Sequence, residues 1–141
     1  MGRIVQTDSG ASHRRRVLST MGLALRTAAS QPDGTPDESR DLLAYLALCL
    51  DDLRQSTEQT ARAWEARGYW VKADHFRTEW VWVTARFGCL QPALMAEDWA
   101  RARICASELA GALAGRRLRI PKSRATPWKG AWEAWGKKHR G

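Results

Sequence analysis

The chain has 141 residues, 44% of them hydrophobic and 27% charged. That is the size and balance of one globular domain with tails. The net charge is +8 at pH 7, and all of it falls on residues 116–141, where nine Lys/Arg face one acid, Glu133. No stretch approaches the ~18 consecutive apolar residues of a membrane span. The first ten residues lack the apolar core of a signal peptide, so a cytoplasmic protein without a transmembrane segment is expected.

In chain order, residues 1–11 read as a flexible N-terminus. A helix is expected from about 13 to 29, because Leu18, Met21, Leu25 and Ala28 keep a 3–4 spacing. Gln31-Pro32-Asp33-Gly34 breaks it. Thr35-Pro36-Asp37-Glu38 is a start signal, with a capping hydroxyl, a proline at the first helical position and a glutamate three residues after the cap. The stripe Leu42, Leu46, Cys49, Leu53, Ser56, Thr60, Ala63 carries that helix to Gly68, which suits a left-handed stop. Glu58 and Arg62 form an i,i+4 pair on it.

A third helix is expected over 69–87, with Gly88 as its stop. A fourth should open at Pro92 and close at Gly115. These elements predict an all-α, up-down antiparallel bundle of about four helices over 12–115. An extended basic tail over 116–141 should follow, ending in a short amphipathic helix. That helix would carry Trp128, Trp132 and Trp135 on one face. With no C-x-x-C spacing, Cys49, Cys89 and Cys105 read as reduced core residues.

The tail is the main functional signal. Arg116, Arg117, Arg119, Lys122, Arg124, Lys129, Lys137, Lys138 and Arg140 supply cations, and the three indoles supply aromatic anchors. RNA or a ribonucleoprotein would use both, through counterion release and base stacking. An anionic membrane surface or an acidic protein complex would also use both. The plainer alternative folds the three indoles back onto the bundle as a fifth helix. Arg14, Arg15 and Arg16 form a second basic cluster, with His13 beside them. They read either as a solvated helix start or as a patch that joins the tail. Residues 64–82 hold four of the eight tryptophans. On one straight helix Trp80 and Trp82 would point about 200° apart, so Trp82, and after it Trp70, are candidates for an outer contact. That allows a homodimer or a heteromeric assembly.

No catalytic constellation is visible. His13, His75 and His139 are scattered, the E-x-x-H pairs of di-iron bundles are absent, and there is no Walker, nucleotide-binding or nucleophile-elbow motif. Glu65, Asp74 and Glu79 each have a basic residue within four positions and read as ion-paired. The expectation is a non-catalytic accessory protein without metal or cofactor that docks onto an anionic partner. The alternative is an assembly or scaffold subunit that binds a partner complex through the Trp-rich hairpin and tail.

Overall fold

In the computed structural model, residues 2–30, 34 and 36–139 are described, with the backbone alone for 2–9. Six helices follow in order: α1 (Gly2–Ser30), α2 (Pro36–Ala66), α3 (Trp70–Glu79), α4 (Val81–Met95), α5 (Trp99–Ala114) and α6 (Ala131–His139). The described residues contain no strand, so the all-helical expectation stands. The sequence pattern marks five helices, and three boundaries differ.

The first difference is at the start. α1 is helical from Gly2, not from residue 12 or 13.

The second is at Trp80. It ends α3 and opens α4, and its N–H reaches both the Phe76 and the Arg77 carbonyl at 3.2 Å. This break re-aims the chain. The Trp80 and Trp82 rings, which a straight helix would hold apart, stack with centroids 6.1 Å apart and planes at 26°. Trp82 is therefore half-buried against its neighbour and the core, and no second molecule is needed to cover it.

The third is that α4 runs through Gly88 and Pro92 to Met95. Proline lacks the N–H that would bond the carbonyl four residues back, which belongs to Gly88. Both residues are exposed, so water can satisfy that carbonyl and the helix survives. It ends where Glu97 takes a left-handed φ of 51°. Asp98 then caps α5 by accepting from the Arg101 N–H at 3.1 Å.

α2 is the central element. Its stripe Leu42, Leu46, Cys49, Leu53 is buried, but so are Leu43, Ala47, Leu50 and Asp51. A helix buried on more than one face needs partners on more than one side. α1 runs antiparallel to it, since Arg14 meets Ser56 and Thr60 while the Thr20 side chain reaches Tyr45. α4 and α5 are antiparallel to each other, with Arg86 facing Glu108 and Cys89 facing Cys105. α6 runs parallel to α2: residues 130 and 132 meet Asp41, and Lys138 meets Asp51.

Cys89 and Cys105 are joined in a disulfide, and only Cys49 is a free, buried thiol. This corrects the reading of three reduced cysteines. It also removes the cysteine-based support for a reducing compartment. No helix among the described residues is long and apolar enough to cross a membrane.

Candidate anion-binding groove

The tail separates into two parts with opposite fates. The first, 116–126, is extended and crosses α1. Along it Leu118 and Ile120 turn inward and are half-buried, while Arg117 and Arg119 alternate outward and are exposed, the period-2 pattern of extended backbone. The crossing point is Gly22. A Cβ there would lie 3.1 Å from the Ile120 side chain and 3.5 Å from that of Leu118, so the absence of a side chain lets the strap lie close.

Beside this crossing is a surface depression of about 910 Å³, lined by Arg15 and Arg16 from α1 and by Arg116, Arg117 and Arg119 from the strap. Leu18, Leu118 and Pro121 line it as well, and no Asp or Glu does so among the described residues. Two clusters a hundred residues apart in sequence thus converge, as the sequence reading allowed. Arg15 is oriented by a 3.0 Å hydrogen bond to Ser12 Oγ. The Arg116 guanidinium lies over Trp82 at 4.8 Å and Trp80 at 5.5 Å. Such stacking fixes the plane of the guanidinium and leaves its N–H edge free to donate. Planar forks of this kind match phosphate and carboxylate oxygens in pairs.

Arg14 does not belong to this groove, a correction of its assignment. It is 6% exposed and donates to Ser56 Oγ at 3.1 Å and Thr60 Oγ1 at 2.9 Å. Its guanidinium sits over Phe76 at 4.9 Å and Trp80 at 5.7 Å. Burial, and after it the charge of Arg15, lowers its pKa from the ordinary arginine value. Hydroxyls and ring faces hold this cation inside the α1–α2–α3 junction.

The second part of the tail docks inward. Trp128 is 4% exposed, Trp135 is fully buried and Trp132 is half-buried. Trp132 meets Trp99 edge-on at 5.0 Å, and Trp135 packs on Phe87 and His139. Trp128 and Trp135 belong to the chain's own core and Trp132 packs half-buried against it, so the assignment of Trp128 and Trp135 as freely presented anchors for a partner is corrected, and Trp132 is only partly presented. Trp128 precedes the helix, because Gly130 adopts φ +80° and α6 starts only at Ala131.

Two carboxylates of α2 explain the docking. Asp41 accepts from the Gly130 and Trp132 N–H groups, each at 3.0 Å, and so caps the positive end of α6 from outside. Asp51, 2% exposed at its side chain, meets Lys138 at 3.0 Å and Arg54. Burial pushes the Asp51 carboxyl up, but hydrogen bonds from Lys138, Arg54 and Gln55 outweigh this and hold it below the usual carboxylate range. Burial lowers the His139 pKa, against an opposing pull from Asp51.

The remaining cations divide accordingly. Lys137 pairs with Glu133 at 3.6 Å on the exposed face of α6, and Lys138 is held by the buried Asp51 carboxylate. Lys122 and Arg124 on the strap and Lys129 in the turn before α6 are exposed. Arg140 lies outside the described residues.

At the far end, Gly68 takes φ +84° and turns the chain from α2 into α3. Arg77 clamps that turn by binding Glu58 and Glu65 together, a link the sequence reading missed. Tyr69, Trp70 and Val71 stand 54%, 65% and 73% exposed at its tip. Comparison with known protein families, curated proteins and solved structures finds no match to this chain.

Proposed function

We propose that this is a non-catalytic helical protein that docks onto a phosphate-bearing partner, RNA or a ribonucleoprotein, through the groove between α1 and the strap. The observation that supports this is the convergence of Arg15, Arg16, Arg116, Arg117 and Arg119 on one depression, with no acid among the described residues that line it. Affinity then comes from guanidinium–phosphate pairing and counterion release. Base stacking on Trp128 and Trp135 plays no part, since those rings are inside. Lys122 and Arg124 extend the cationic track along the strap.

The test is fluorescence anisotropy of the full chain with a labelled RNA at several salt concentrations. Five phosphate contacts predict a log–log slope of about −3.5 on single strands. Arg117→Glu with Arg119→Glu should reduce binding steeply. Gly22→Leu, which keeps every cation but pushes the strap off α1, should weaken binding as well. A flat salt dependence, or binding indifferent to these changes, overturns the reading.

The exposed Tyr69-Trp70-Val71 tip favours a second reading, an assembly subunit that inserts this tip into a partner protein. Large rigid aromatics presented on a fixed turn are the usual anchors of protein interfaces. In that case Trp70→Ala abolishes capture of the partner, and the arginine reversals are silent.

A further inference from the structure

The α4–α5 interface carries a group of side chains that the arginine groove does not use. Cys89 on α4 and Cys105 on α5 are bonded, with their Cα atoms 5.8 Å apart. Glu108 follows Cys105 by three positions, so both share one face of α5. Its Oε1 lies 3.7 Å from the Cys89 sulfur, while Oε2 lies 3.6 Å from Arg86. One donor atom from each of Cys89, Cys105 and Glu108 falls within 4.8 Å of the others. Cys105 is buried, Cys89 is half-buried and Glu108 is exposed, so the group opens to solvent on one side.

We infer that Cys89, Cys105 and Glu108 form a zinc site that exists only when the disulfide between them is reduced. A dithiol reductant delivers two electrons and two protons to the S–S bond, giving two thiols, and is itself oxidised to a disulfide. Zn²⁺ then displaces the two thiol protons. Two thiolates and one carboxylate give three protein ligands, with the fourth tetrahedral position open to water. Soft thiolates select zinc over magnesium or calcium.

The backbone is already spaced for this. A Zn–S bond of about 2.3 Å at the tetrahedral angle sets the sulfurs about 3.8 Å apart, which rotation about the two Cα–Cβ bonds supplies once the S–S bond opens. Arg86 completes the arrangement. By holding Oε2 it aims Oε1 at the sulfurs and offsets the net negative charge of the ligand set. The same three residues thus alternate between a covalent staple and a metal staple across α4 and α5.

Co²⁺ is the probe, because thiolate coordination gives it a sulfur-to-metal charge-transfer band. The full chain is reduced with dithiothreitol, desalted under nitrogen and titrated with Co²⁺. One Co²⁺ should bind per chain with that band, and Zn²⁺ should displace it. The oxidised chain should show none. Cys89→Ser should lose the band, with circular dichroism confirming that its helices persist. Glu108→Gln, at an exposed position, should weaken binding at least about tenfold. The proposal is overturned if the reduced chain develops no band, if the oxidised chain binds equally, or if Glu108→Gln binds like the parent.

Discussion

Replacing Trp135 with alanine should cost the molecule a large part of its stability. Trp135 is fully buried and packs on Phe87 and His139 between α2 and α4. A buried indole removes about 150–250 Å² from water, and at about 25 cal/mol per Å² this amounts to about 4–6 kcal/mol. An unfolded chain that is itself partly compact trims the figure, toward the about 3–5 kcal/mol typical of buried Trp→Ala changes. With a urea m-value of about 2 kcal/mol/M, the unfolding midpoint should fall by about 2 M. Far-ultraviolet circular dichroism across a urea series measures it. Trp70→Ala is the matched control: that ring is 65% exposed, and its loss should change stability by no more than about 0.5 kcal/mol. If the Trp135→Ala midpoint stays within about 0.5 M of the parent, α6 does not complete the core and the tail is not docked on α2.

Further outcomes follow from the same contacts. The His139 pKa is depressed in the fold, so its contribution is complete above about pH 6.5 and is lost as pH falls through the folded value. The Asp51 carboxyl is also depressed, and its contribution is lost below about pH 4. Thermal melts should therefore show two successive losses on acidification, and Asp51→Asn should flatten the lower one. Gly22→Leu should lift the strap from α1 and speed tryptic cleavage after Arg117 and Arg119, with helical circular dichroism retained. Burial pushes the Cys49 thiol up to about 12, so it should resist iodoacetamide at pH 8 in the folded protein and react once urea unfolds it. Labelling of Cys49 in the native state would contradict the packing of α1 on α2.

Local signals in the sequence were legible because their causes are local. Pro36 does open α2, Gly68 does end it in the left-handed region, and Glu58 does bind Arg62 at 3.0 Å. The misread features depend on partners far away in sequence. Gly88 resembles a stop and Pro92 a helix start until their shared exposed face is known. The tail tryptophans look available for docking unless Asp41 and Asp51, some ninety residues earlier, are recognised as the groups that receive α6. One signal was present: Leu43, Ala47 and Leu50 lie off the main stripe of α2, and a helix apolar beyond one face announces another neighbour. The groove is the intermediate case. Its two arginine clusters are plain in the sequence, but only Gly22, where the strap crosses α1, shows that they meet.

The parallel seating of α6 on α2 also makes its contacts the most non-local of the helix pairings described. α1 with α2, and α4 with α5, can pair as neighbours along the chain, at small loop-closure entropy. α6 must instead find Asp41 and Asp51 across most of the polypeptide, and non-local closures of this kind are slow. Until it arrives, the site that will hold Trp135, with Phe87 along it, stands open to water. A chain in which α6 is not seated therefore presents a bare apolar cleft, a surface through which it would self-associate.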